Sequence, residues 1–151
     1  MAQTSAGCLL CMQSIPPGYL IHEGERWRIR HSQETNILGY CILEPVRHFL
    51  DLSEAETEEL ADYSVLLAAI MKAQRETFED CERVYTFSLA EAVPHFHLHV
   101  IPRRKDFIRA YKGRGIMSYP LKPAASPELV ATVCQQLRGC LRRDQRLSAF
   151  L

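Results

Sequence analysis

The segment His95-Phe96-His97-Leu98-His99-Val100-Ile101-Pro102-Arg103 leaves this chain few options, because three histidines alternate with apolar residues at a period of two. Drawn out as a strand, it turns His95, His97 and His99 to one face and Phe96, Leu98 and Val100 to the other. One face belongs to a core and the other to chemistry. Imidazole changes charge near neutral pH and is a nitrogen nucleophile, so three on one surface point to a reactive or ligand-holding site. A solvent-exposed His-rich strand or a bare comb for metal ions is the plainer reading, but neither explains core-quality residues between the histidines.

His-φ-His-φ-His-φ-φ followed by Pro-Arg, where φ is apolar, resembles the signature of the histidine triad (HIT) family of nucleotide hydrolases and transferases. All seven motif positions match, and further support runs from Cys8 to Arg103, while the last third carries no family motif. The resemblance implies an α+β fold, an antiparallel sheet of about five strands with one long helix and a C-terminal helix. It also implies a homodimer.

Length and charge narrow the setting. A chain of 151 residues suffices for one domain with a real core and is short for two, so a single domain over 1–151 is expected. Lysine plus arginine (18) equals aspartate plus glutamate (18), so no global basic field recruits a nucleic-acid polymer or a membrane, and phosphate binding must be local. No stretch approaches the length of an apolar span, and Met1–Gly7 lacks the basic start and apolar run of a signal peptide. A cytoplasmic location is therefore expected. Six cysteines at irregular spacing do not form a secreted disulfide framework.

Cys8-Leu9-Leu10-Cys11 is half of a tetrahedral zinc site, a redox pair, or two buried reduced thiols. A redox pair wants a βαβ context, whereas Ile15-Pro16-Pro17-Gly18 marks a turn. Bacterial HIT proteins often carry such a pair, which the resemblance joins to two histidines in a structural zinc site. Pro45-Val46-Arg47-His48 resembles the family's Pro-x-x-His, completing the set Cys8, Cys11, His48 and His95.

Glu25–Arg30 and Gly39–Pro45 read as an antiparallel strand pair, and Val84–Leu89 as a strand joined to the triad by a short hairpin connection. Between them, Ser53 and Glu56 read as a capping box opening a long helix. Leu60, Tyr63, Leu67, Ile70, Met71, Gln74 and Phe78 line one face, and Val65, Leu66 and Ala69 widen it. That helix should pack on two sides, one against the sheet and the other against either a second subunit or the C-terminal segment. Ser126-Pro127-Glu128 opens a last helix with Leu129, Val130, Val133, Leu137 and Leu141 on its core face.

Two departures from the family pattern stand out. The acid that usually holds the ribose falls near Ser32, with His31 and Asn36 as neighbouring substitutes. The Gly-rich phosphate loop is missing, and Ala90-Glu91-Ala92-Val93-Pro94 stands there instead. Among the basic residues after the triad, Arg103 is the best candidate for gripping a polyphosphate.

By resemblance, His97 attacks the α-phosphorus and forms a nucleotidyl-imidazole, its other ring nitrogen donating to a backbone carbonyl. His99 then donates to a phosphate oxygen or leaving group, and His95 completes the network or, if zinc is bound, serves as a ligand. No catalytic metal is required. The expected substrates are dinucleoside polyphosphates or nucleoside phosphoramidates, with release of a nucleoside monophosphate. A catalytically weak nucleotide-binding regulatory dimer and a zinc-binding protein are the alternatives.

Overall fold

The computed structural model describes residues 5–148. The outermost residues of the expected domain lie outside the described residues, as does Met1–Thr4 of the segment read for a signal peptide. In chain order the elements are α1 (Leu9–Met12), β1 (Leu20–Glu23), β2 (Trp27–His31), β3 (Cys41–Pro45), α2 (Thr57–Thr77), β4 (Cys81–Phe87), β5 (Leu98–Arg104) and α3 (Pro127–Arg143). The strands form one antiparallel sheet in the order β1-β2-β3-β5-β4. This is the expected α+β architecture. No helix among the described residues is long and apolar enough to cross a membrane.

The period-two reading of the triad holds for its apolar half, since Phe96, Leu98 and Val100 are buried in the main core with Trp27, Leu43, Phe49 and Ile70. Phe49 stacks on Phe96 at 5.9 Å between centroids, and the Trp27 indole N–H donates to the Glu59 carbonyl at 2.8 Å. Regular pairing, however, begins only at Leu98. His95 to His97 precede the strand, and the β4–β5 connection runs from 88 to 97 rather than forming a tight hairpin. Strand β1 had no signal of its own, being four residues long on a sheet edge.

The helix entry lies three residues later than the Ser53–Glu56 reading. Asp51 accepts from the Ser53 N–H and closes a separate 3₁₀ turn, so α2 opens at Thr57 behind Glu56. Glu59 reaches back to the Glu56 N–H at 2.8 Å and is held by Arg47 at 2.9 and 2.6 Å. The second side of α2 is covered by α3, the within-chain alternative. Helix α3 starts as expected, with Ser126 accepting from Leu129 N–H; Val130, Val133, Leu137 and Leu141 are buried, but Leu129 points to solvent.

On the opposite face of the sheet, Ile37, Tyr40, Ile42, Ile101 and Phe107 form a smaller cluster. On the main-core side, Gly39 lets the Phe78 ring close against the backbone ahead of β3, because it sits at φ +84° and a Cβ there would run into that ring.

Candidate functional site

The irregular backbone ahead of β5 lets His95 drop out of the strand row. It is 1% exposed and meets α1 and the segment after β3. Its Nδ1 lies 3.4 Å from Cys8 Sγ, 3.4 Å from Cys11 Sγ and 3.2 Å from His48 Nδ1, while Cys11 Sγ is 3.6 Å from His48 Nδ1. A tetrahedral ion with ordinary Zn–N and Zn–S bonds places nitrogen about 3.3 Å from nitrogen and about 3.5 Å from sulfur. The four ligand atoms, all within 4.8 Å of one another, therefore fit a zinc-type ion with no position left open. His95 Nε2–H donates to the Pro45 carbonyl at 3.0 Å, which leaves the Nδ1 lone pair for the cluster. Burial and the neighbouring Cys8 push the Cys11 thiol up to about 11. A divalent cation reverses that tendency by binding thiolate.

Two residues on, the chain faces a cleft of about 300 Å³ lined by His97 and His99. Leu10, Ile42 and Val93 contribute its apolar lining, and Gln13, Arg30, Ser32, Gln33 and Glu34 its polar lining. His97 Nδ1–H donates to the His95 carbonyl at 2.8 Å, so its Nε2 carries the lone pair. His99 lies against Phe87, the rings 4.6 Å apart and 23° from parallel, and its Nδ1 is 2.9 Å from Tyr40 Oη. Burial, with His97 and Arg30 nearby, lowers the His99 pKa to about 4 and keeps the ring neutral at pH 7.

The cleft rests on a buried ion triad. Glu44, fully buried, accepts from Arg28 Nε at 2.5 Å and from Arg30 Nη2 at 3.2 Å. Strand register places Arg30, Ile42 and His99 in one row across β2, β3 and β5. Arg28 and Arg30 outnumber Glu44 by one charge, which Glu34 in the cleft lining balances, so Arg30 favours an anion locally and not through a net charge.

A HIT domain model matches residues 16–106, more than half of the chain. The chain belongs to the HIT domain family. No curated protein sequence matches it. Among solved structures it is similar to a Zn-bound histidine triad family protein from Mycobacterium smegmatis, with 22% identity, TM-score 0.68, and 92% of this chain and 96% of that one covered. A hypothetical histidine triad nucleotide-binding protein from Sulfolobus tokodaii aligns at 16% identity and TM-score 0.67, covering 86% and 87%. Plasmodium falciparum diadenosine triphosphate hydrolase aligns at 15% identity and TM-score 0.64, covering 88% and 82%.

Within this HIT domain the sequence candidates separate. Ser32 lines the cleft, its hydroxyl accepting from Glu34 N–H at 3.4 Å. His31 does not reach the cleft, because both ring nitrogens are used in the interior: Nδ1–H donates to the Ser32 carbonyl at 2.7 Å, and Nε2 accepts from Gly39 N–H at 2.9 Å. Asn36 is turned away, donating to the Pro120 carbonyl at 2.9 Å. Arg103 lies about 13 Å along β5 from His99 and is buried in an ion pair with Glu82, so it cannot grip a phosphate at His97. In the connection where the Gly-rich loop is missing, Ala90 takes φ +52°, a conformation that usually falls to glycine. Arg30, Glu44, Gln33, Tyr40 and Phe87 join the site without any motif that marks them. The available signal was alternation, since Arg28 and Arg30 on β2 and Tyr40, Ile42 and Glu44 along β3 share the triad's polar face.

Proposed function

We propose that this HIT domain is a nucleotide hydrolase or nucleotidyl transferase acting at an α-phosphate. One observation carries the reading: His97 opens on the cleft with its Nδ1 proton tied to the His95 carbonyl, leaving Nε2 as a nucleophile held in one tautomer. In the first step a bond forms between Nε2 and the α-phosphorus, and the bond to the leaving group breaks. A polyphosphate departs as an anion; an amine takes its proton from water. Neutral His99 donates a hydrogen bond to a non-bridging oxygen, and the Arg30 guanidinium in the cleft lining attracts the anion. Water then attacks the phosphorus, the P–N bond to His97 breaks, and a nucleoside monophosphate leaves. Ser32 offers a hydroxyl to the ribose.

Cys8, Cys11, His48 and His95 would hold a structural zinc that ties α1 to the root of β5; no step of the chemistry passes through it. Cys8 and Cys11 stand as free thiols beside two histidines, which suits a reducing, cytoplasmic location. A homodimer is retained as part of the reading, but α3 occupies the second side of α2. Of the two edge strands, β1 packs against α3, and the β4 edge is the one assigned to a second copy that would extend the sheet.

The test is release of AMP from diadenosine polyphosphates and adenosine phosphoramidates, with acid-quenched protein digested to find nucleotidyl-His97. Turnover with a labelled His97 peptide supports the reading. A second reading, a nucleotide-binding protein with little turnover, is favoured by Ser32 in place of an acid and Glu91 in the connection; AMP binding without release of product would establish it.

A further inference from the structure

We infer that Tyr40 is the positioning residue for His99: its phenol donates to Nδ1 and so obliges the ring to present Nε2–H to the cleft. Tyr40 immediately precedes β3, whose register sets Cys41 opposite Val100 and Ile42 opposite His99. Tyr40 therefore lies diagonally across from His99 on the cleft side of the sheet. Its Oη is 2.9 Å from Nδ1, and the residue is 6% exposed.

The direction of that bond follows from counting partners. If Nδ1–H donated to Oη, the phenolic proton would be left without an acceptor, since among the described residues Oη has no other hydrogen-bond partner. A buried unmade donor is costly. With the phenol as donor, every group is satisfied: Oη–H finds the imidazole lone pair, and the remaining ring proton sits on Nε2, where the cleft can receive it. Burial pushes the Tyr40 phenol up to about 12, so the donor keeps its proton across the working range. Phe87 fixes the ring plane from one side, and Tyr40 prevents the flip that would exchange the two nitrogens.

His97 and His99 are thereby wired to opposite tautomers by different means. A backbone carbonyl holds the proton of His97 on Nδ1 and frees its Nε2 lone pair. A phenol takes the Nδ1 lone pair of His99 and leaves the proton on Nε2. Nucleotidyl transfer needs one lone pair to attack and one proton to stabilise the charge that develops on phosphate oxygen, so the inference rests on the proposed function for its catalytic meaning. The tautomer itself does not depend on that reading.

The deciding experiment is long-range ¹H–¹⁵N NMR of the full-length protein, comparing wild type, Tyr40→Phe and Phe87→Leu. In wild type, His99 is expected to show a protonated-type Nε2 and a lone-pair-type Nδ1, opposite to His97. Tyr40→Phe should collapse that pattern into an exchanging mixture, whereas Phe87→Leu, which keeps the phenol, should retain it. Turnover of an adenosine phosphoramidate should fall about tenfold in kcat for Tyr40→Phe with KM little changed, less than loss of a direct donor costs. A wild-type His99 protonated at Nδ1, or an unchanged pattern in Tyr40→Phe, overturns the inference, and the wild-type spectrum alone decides it if the variant does not fold. Absence of turnover in wild type overturns the proposed function instead, and leaves the tautomer measurement standing.

Discussion

His95 and His99 belong to one alternating run, yet their surroundings are opposed. Both ring nitrogens of His95 are spent inside the protein, one on the Pro45 carbonyl and one on the cysteine–histidine cluster. His97 and His99 each spend one nitrogen and keep the other for the cleft. The difference teaches that alternation assigns a face, while the second partner of each imidazole assigns the role. A histidine satisfied at both ends anchors the chain, and one satisfied at a single end is available for chemistry. The break in regular strand before Leu98 is what separates the two environments.

The sharpest way to break the comparison is to remove the nucleophile. His97→Ala should lower kcat by at least about a thousandfold, with thermal melting and AMP affinity near wild type, since the ring lies at the cleft and not in the core. Steady-state kinetics and calorimetry check both halves. Activity close to wild type would mean that the cleft does not react through His97.

The anchoring side is tested by metal. Protein purified without chelator should carry about one zinc per chain with mixed sulfur and nitrogen ligation. Cys8→Ser combined with Cys11→Ser should lose it. A zinc present at a thousand times its Kd contributes about 4 kcal/mol, so the melting temperature should fall while a measurable rate persists, because His97 is not a ligand. Zinc content near zero in wild type returns His95 to the reactive side of the comparison, and content well above one favours a zinc-binding role for all the histidines.

Leu98→Ala probes the opposite face of the same run. Leu98 is buried in the main core, so truncation should cost about 2–5 kcal/mol in urea unfolding and alter turnover little beyond the loss of folded protein. A silent substitution would invert the face assignment.

Much of this contrast was legible in the residues themselves. Period two places Phe96, Leu98 and Val100 in the core, and the HIT resemblance carried by Cys-x-x-Cys and Pro-x-x-His implies the cluster that the fold brings together. Three features were hidden for a common reason: the deciding partner sits on another strand or is a backbone group. Arg103 is captured by Glu82 because the β4–β5 ladder brings them together across a register shift between Cys81 and Arg83. Tyr40 gains its role only from the β3–β5 register. His31 is an interior strut because a loop returns Gly39 N–H to its ring. The helix opens behind Glu56 and not Ser53 because Asp51 caps a separate turn that takes up Ser53.

The smallest expected effect concerns His31, the buried histidine outside both environments. Its ring is neutral by construction: Nδ1 holds the proton donated to the Ser32 carbonyl, and Nε2 must keep a lone pair to accept from Gly39 N–H. Burial moves its pKa below the ordinary 6.5, the Ser32 carbonyl only partly opposing this. The unfolded chain therefore binds a proton at His31 more readily than the folded one. The stabilisation is complete above about pH 6.5 and is lost as pH falls below it. Protonation would also leave Gly39 N–H without its acceptor and loosen the segment carrying Ser32, Gln33 and Glu34 to the cleft. His31→Phe should cost about 1–3 kcal/mol at pH 7.5, and the loss of stability between pH 7.5 and 5 should be smaller in the variant than in wild type. Urea midpoints at the two pH values measure the difference, and equal slopes would mean that His31 titrates alike in the folded and unfolded chain and does not brace the cleft.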